Sequence, residues 1–400
     1  MNSQLATECT DVLIVGAGPT GMALAAVLAR RGVKTLLVDR LAAGQNTSRA
    51  AVVHAHTLEV LDRIGIAGRL RERGLPLARF AIRDRDRPLL RLRFDDLPSP
   101  MACLLMLPQD QTEQLLEQAV VEAGGGVQRG CAVESVAADA NGVTATLVVA
   151  DGRRIVNARY VVGADGMHSM VRERAGIGFP GASYEESFVL ADVAMDWPLG
   201  RDEVTLFFSP EGLLVVAPLP NGTFRIVATL DAAPPHPDLD CVQALVSRRG
   251  PRRAHGKVGR VVWSTRFRLH HRVADRYRSG RMLLVGDAAH VHSPAGGQGM
   301  NTGLVDACVL GEILPEVLAG RRPDGFLDTY GELRRPAAQR VLRMAGMLTR
   351  LATVRSLPLR VLRNAALRVV NLLPMVRRRM AMNFSGLARR AAAVVPVPTR

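Results

Sequence analysis

The chain has 400 residues, of which 48% are hydrophobic and 22% charged, proportions that specify a folded globular protein and exclude a disordered or fibrous one. No apolar run is long enough to span a bilayer, and the N-terminus MNSQLATECTDVLIVGAG lacks the basic start and cleavage site of a secretory signal, so a cytoplasmic protein is expected. The net charge of +15 is confined to one end: after Leu333 there are fifteen arginines and no Asp or Glu, which leaves the preceding residues formally neutral.

The chain begins as a βαβ unit, with a strand in DVLIVG, a helix through GMALAAVLARRG and a second strand in VKTLLVD. Between the first strand and the helix, GAGPTG places Gly16, Gly18 and Gly21 in the G-x-G-x-x-G spacing. The first glycine permits a tight turn, the second lets backbone approach a pyrophosphate, and the third lets helix pack on strand. The helix start then offers unpaired N–H groups to phosphates. Asp39, at the end of the second strand, is placed to hold ribose hydroxyls, with Arg40 beside it. This pattern implies a bound dinucleotide but does not distinguish FAD from NAD.

Helices are expected in RAAVVHAHTLEVLDRIG and DQTEQLLEQAVVEAGG, followed by three short alternating strands between about 132 and 162. From 179 to 270 the pattern becomes that of a largely antiparallel sheet, which carries nine of the sixteen aromatic residues. Those aromatics fit either ordinary sheet packing or the wall of a pocket for a flat apolar ligand. A buried strand returns at RMLLVGD, and a helix is expected from about Gly299 to Leu318. The arginine-rich tail, with prolines at 358 and 374, forms amphipathic helices that dock with their arginines in water or lie on an anionic membrane. Without a recognition motif, nucleic acid is not an expected partner. The five cysteines, Cys9, Cys103, Cys131, Cys241 and Cys308, are scattered and suggest neither disulfides nor a metal site.

The segment VGDAAHVHSPAGGQGMNTG, Val285 to Gly303, is dense in glycine directly behind an apolar strand. Asp287 can accept hydrogen bonds from sugar-like hydroxyls, and GGQGMN presents bare N–H groups at a helix start, which stabilises negative charge. A reduced flavin needs this along the pyrimidine edge of its ring, whereas NAD does not.

Three ordered motifs, GAGPTG, GADGMHSMVR (Gly163 to Arg172) and GDAAHVHSPAGGQGMN, resemble those of the class A FAD-dependent aromatic hydroxylases, the para-hydroxybenzoate-hydroxylase-like monooxygenases. The resemblance covers nearly the whole chain. It implies an α/β fold in which a Rossmann-like FAD-binding domain (1–178 and 271–345) carries an inserted antiparallel substrate domain (179–270, joined by strands near 77–97), with a helical region at 346–400. It also implies that Arg49, Gln109, Asp165, Gly166 and Asp287 contact FAD, and that Pro294, Gly297, Gly299, Met300 and Asn301 frame its ring system. His56 stands where many relatives carry Arg. The implied activity is hydroxylation of a phenolic or polycyclic aromatic molecule by FAD, with NADPH or NADH and dioxygen, through a flavin hydroperoxide. His54 is the candidate base for deprotonating a phenol. His290 and His292, inside the third motif, are expected to be structural. The alternative is a flavin-dependent reductase or hydroxylase of a membrane-borne isoprenoid lipid or quinone precursor; a halogenase is disfavoured because Trp197 and Trp263 stand apart and the only lysines are Lys34 and Lys257.

Overall fold

The structure is a computed structural model that describes residues 7–44, 50–293, 296–354 and 356–396, without the side chains of 183–186 and 268–269. Its centre is the strand Thr7–Val15, paired in parallel with Thr35–Val38 on one side and Gly152–Gly163 on the other. Val127–Gln128 and Met282–Leu284 extend this parallel sheet outward. Val12, Leu13 and Ile14 are fully buried, as expected for a parallel strand covered on both faces. The strands Ala132–Ala138 and Val143–Val149 form an antiparallel meander against the long Gly152–Gly163 strand.

Two helices, Pro19–Arg30 and Gly299–Leu318, lie side by side near this sheet. Their spacing is set by glycine: a Cβ on Gly303 would collide with Thr20 Oγ1, and one on Gly311 would collide with Val27 Cγ1. The pairs Thr20/Gly303 and Val27/Gly311 advance in the same direction, so the helices are parallel and their N-termini are adjacent.

The second sheet runs in the order His290–Val291, Lys257–Val273, Gly181–Asp196, Phe224–Leu230, Gly212–Pro218, Glu203–Ser209, Arg79–Asp84 and Arg87–Arg93. All neighbours are antiparallel except Glu203–Ser209 with Arg79–Asp84. Side-chain alternation gives the sheet two faces. Val189, Ala191 and Val193 pack with Val242, Leu245 and Val246 of the helix Leu239–Arg249, whereas Phe188 and Leu190 face the opposite way.

Two sequence expectations are corrected. The helix expected over RAAVVHAHTLEVLDRIG is confined to Ala55–Asp62, because Val52–His54 forms a strand against Leu104–Met106. The distant Asn301 stabilises that strand: its side chain accepts from His54 N–H (2.8 Å) and donates to Val52 O (2.8 Å), serving as a local strand partner. The tail is helical, over Asp328–Ala352, Leu357–Asn371 and Pro374–Phe384, and continuous across position 345. Its arginines, however, are not all in water. Arg334 and Arg363 are buried, and Arg363 donates to Leu351 O (2.7 Å) and lies over the Phe208 ring. Leu357, Leu359, Val361, Leu362, Val369 and Val376 of the last two helices face outward instead.

Gly311→Val tests the helix contact. Overpacking against Val27 is expected to cost about 1–3 kcal/mol and lower the urea midpoint of unfolding. An unchanged midpoint would show that these helices do not meet at Gly311.

Candidate active site

The two adjacent helix starts open on a cavity of about 1000 Å³. At one end it is lined by Gly16, Gly18, Thr20, Asp39 and Arg40. Gly16 has φ +103°, and a Cβ there would run into the Ala164 carbonyl. Gly21 is equally constrained, since its Cβ would strike the Gly16 carbonyl. Gly18 differs: among the described residues, nothing apart from its chain neighbours lies within 4 Å of where its Cβ would be, so its bare backbone borders open space. Asp39 ties the loop together by accepting from Ala17 N–H (2.7 Å) and Leu41 N–H (2.9 Å). Gln109 lines the cavity and accepts from Ala50 N–H (3.1 Å).

The middle motif packs directly on this turn through Ala164. Asp165 accepts from Met170 N–H (2.8 Å) and Val171 N–H (3.2 Å), and burial raises its carboxyl above the usual range. Gly166, with φ +78°, carries the chain along the cavity wall. Arg172 reaches from the same motif to the Ala288 carbonyl (2.9 Å) while stacked on Phe179. It thereby joins the middle motif to the turn Gly286–Ala288, from which Asp287 projects into the cavity.

A buried charge cluster holds that turn to the Gly299–Leu318 helix. Asp306 accepts from Arg334 Nε (2.7 Å) and pairs with His290 Nε2 (2.6 Å). Burial alone would raise the Asp306 carboxyl, but Arg334 and His290 overcome it and hold the group below its ordinary range. Arg334 also donates to Ala392 O (3.0 Å), which fastens the end of the described chain to the same centre. His290 is therefore a structural partner.

The helix-start segment spans the cavity: Gly303 touches Thr20, Gly297 is backed by Val52 and His54, and Gly296 faces Phe384. Gly297, Gly299 and Met300 line the space, as do His54 and His292. His54 Nε2 bonds the Gly296 carbonyl (2.9 Å), and His292 Nδ1 bonds the Ser293 carbonyl (2.8 Å). The remaining ring nitrogens, His54 Nδ1 and His292 Nε2, are buried without a partner among the described residues. Burial lowers both imidazoles to about 4, so they are neutral at pH 7. Behind them Gln298 donates to Phe384 O (2.9 Å) and accepts from Arg389 (2.8 Å).

The far end of the cavity is apolar, with Phe80, Phe188, Leu206, Leu213, Phe267 and Phe384 among its walls. The aromatics of this sheet divide between its two faces. Phe188 and Phe267 face the cavity, while Trp197, Phe207 and Phe224 belong to the core on the other face. Arg225, almost fully buried, binds both Asp192 oxygens (2.7 Å each) and the Ala50 carbonyl (2.8 Å), linking the sheet to the chain preceding Val52.

Of the residues singled out in the sequence, Gly21 and Asn301 support the site without lining the main cavity, and Arg49 and Pro294 lie outside the described residues. Sequence patterns gave no sign of Arg225, Arg389 or Phe384, each isolated in sequence from the motifs or in a segment read only by composition, whereas Gln298 lies inside the third motif, where its glycine neighbours carry the signal.

Comparison with known proteins agrees with this geometry. The profile of the family described as "FAD binding domain" matches residues 9–345. The chain belongs to the FAD-dependent aromatic hydroxylase family. It is 37% identical over 353 residues to 6-methylpretetramide 4-monooxygenase of Streptomyces rimosus, covering 86% of this chain and 63% of that protein. It is 36% identical over 339 residues to pentachlorophenol 4-monooxygenase of Sphingobium chlorophenolicum, covering 83% of this chain and 63% of the relative. The chain therefore spans somewhat less than two thirds of these relatives' length. Among solved structures, the OxyS anhydrotetracycline hydroxylase of Streptomyces rimosus superposes with a TM-score of 0.80 at 34% identity, covering 95% of this chain and 76% of that one. The site suits FAD: open space at Gly18, a carboxylate at Asp39 and a second glycine-rich helix start meet in one cavity.

Two predictions follow from this geometry. Gly18→Val, whose Cβ meets nothing among the described residues apart from its chain neighbours, is expected to leave a folded but colourless protein, whereas Gly21→Val is expected to lower stability itself, by about 1–3 kcal/mol or more. Equal flavin retention by wild type and Gly18→Val, read by absorbance, would contradict the loop assignment. The second concerns acid. His54, His56 and His292 are each lowered to about 4, so between that value and 6.5 the unfolded chain binds more protons than the fold. Their contribution is intact above pH 6.5 and lost as pH falls toward 4, at up to about 1.4 kcal/mol per histidine per pH unit. Denaturant titrations at pH 7 and pH 5 should show a loss of several kcal/mol; equal stabilities would contradict neutral burial.

Proposed function

We propose that this chain is an FAD-dependent monooxygenase that uses NADPH or NADH and dioxygen to hydroxylate a flat, apolar aromatic molecule, phenolic or polycyclic. The observation that carries this reading is the continuity of one cavity from the Gly16–Thr20 turn to a wall of Phe80, Phe188, Phe267 and Phe384. FAD would supply the redox chemistry, in which NAD(P)H provides two electrons and dioxygen gives one atom to the ring and the other to water. The relatives named for 6-methylpretetramide, pentachlorophenol and anhydrotetracycline support an aromatic substrate.

The chain's own part is to bind, orient and exclude water. Asp39 and the bare Gly18 backbone hold the nucleotide end, Gln109, Asp165, Gly166 and Asp287 line its course, and the Gly297–Asn301 helix start frames the ring. The unpaired N–H groups of that start favour negative charge beside them. His54 and His292 are neutral at pH 7, so they bring no charge into the apolar cavity they line. His54, bonded to Gly296, fixes the helix-start loop, so His54→Ala is expected to loosen that loop. In this reading residues 1–178 and 271–345 hold the cofactor, and 179–270 with the 79–93 hairpin shape the substrate end.

The test mixes purified yellow protein with NADPH or NADH and a panel of phenols while following dioxygen uptake and product mass. Uptake accelerated by a phenol, with a product heavier by one oxygen atom, is expected. Absence of any NAD(P)H oxidation by flavin-loaded protein would contradict the proposal. Asp287→Ala is expected to weaken FAD retention by about ten- to a hundredfold, the usual loss for a charge-assisted hydrogen bond; full occupancy would remove Asp287 from the site.

A further inference from the structure

Nine of the fifteen large apolar side chains exposed among the described residues fall between Leu357 and Val376. On the helix Leu357–Asn371, Val361, Leu362, Ala365 and Val369 recur at helical spacing on the outer face, and Leu372 and Met375 beyond it are 77% and 86% exposed. The helix is inverted relative to an ordinary surface helix, because Arg363 is buried inside while leucines and valines meet solvent. The inner side is fully used. Leu367, Val370 and Met380 pack on the cluster that contains Phe80, Phe188 and Phe384, all walls of the cavity. These two helices therefore cover the core behind the apolar end of the cavity, which Phe384 itself lines, and their outer row is not needed for the protein's own core.

An apolar row this concentrated marks an interaction surface. Its surroundings select the partner. Arg368, Arg378 and Arg379 are exposed beside it, and neither helix carries an Asp or Glu. A second copy of the chain on this face would bring arginine against arginine, and nucleic acid would leave the leucines in water. An anionic bilayer satisfies both features: leucine, valine and methionine enter the acyl boundary while guanidinium groups meet phosphate headgroups. None of the helices among the described residues is long and apolar enough to cross a membrane, so the contact is with the surface.

We propose that the outer face of the helices Leu357–Asn371 and Pro374–Phe384 seats this protein on an anionic lipid surface, with the apolar end of its cavity directed toward the bilayer. The substrate class then narrows to aromatic molecules that partition into lipid. That narrowing rests on the cavity being the substrate site; the lipid contact itself does not.

The experiment floats flavin-loaded protein on a density gradient with vesicles of phosphatidylcholine alone or mixed with phosphatidylglycerol. Wild type is expected to float with the anionic vesicles about tenfold more than with the neutral ones, and less at high salt. The combined variant L362E, L372E and M375E should lose flotation while remaining yellow and oxidising NAD(P)H with a water-soluble phenol as wild type does. R378E with R379E should lose the preference for anionic lipid. The proposal is overturned if wild type fails to float with either vesicle, or if the triple variant floats as well as wild type. It is also overturned if wild type is a dimer that the triple variant converts to monomer, since a second copy would then cover the face. Flotation without hydroxylation of any phenol would uphold the lipid contact and remove only the proposed activity.

Discussion

The contact between two parallel helices determines where this protein can do chemistry. Thr20 and Val27 on one helix are received by Gly303 and Gly311 on the other, and the absence of a Cβ at those glycines lets the axes approach. Parallel alignment puts both N-termini at one cavity. The orphan N–H groups of one start can meet the phosphates of a dinucleotide, and those of the other can meet the ring at its far end. Residues almost three hundred positions apart in sequence thus line one cavity, the two halves of the proposed cofactor site.

That alignment is fastened from behind by groups that never touch a ligand. Asp306 lies between Arg334 and His290, and Arg334 continues to the Ala392 carbonyl. Removing one member would leave charged or polar groups buried without partners, at a cost of about 3–5 kcal/mol. Arg172 clasps the Asp287 turn from the middle motif, and Arg225 ties the second sheet to the backbone at Ala50. The site is held by a frame of long-range polar contacts, each bridging two segments that carry a glycine turn or a cavity wall.

Much of this was legible in the sequence because it rests on local rules. Glycine spacing after an apolar strand marks the nucleotide turn, and Asp39 follows at the strand end where such a turn requires it. The Gly299–Leu318 helix and the alternating sheet strands are visible from periodicity. The strand Val52–His54 was not legible, because its pairing depends on Asn301 and overrides the helical pattern that surrounds it. The role of Phe384 as a cavity wall was hidden for a similar reason: in an arginine-rich tail, composition does not say which face turns inward. The burial of Arg363 beneath exposed leucines inverts the usual rule altogether, and only the packing of Leu367 and Val370 on the core that contains Phe80 and Phe188 explains which side faces in.

The account's central claim is that the two glycine-rich segments grip opposite ends of one flavin nucleotide. A crystal structure of the protein with FAD tests it most directly. Continuous ligand density should run from a ribose beside Asp39, past Gly18 and Asp287, to a ring system against Gly297–Asn301. Density that engages only one of the two segments, or FAD bound outside the cavity, would contradict the claim.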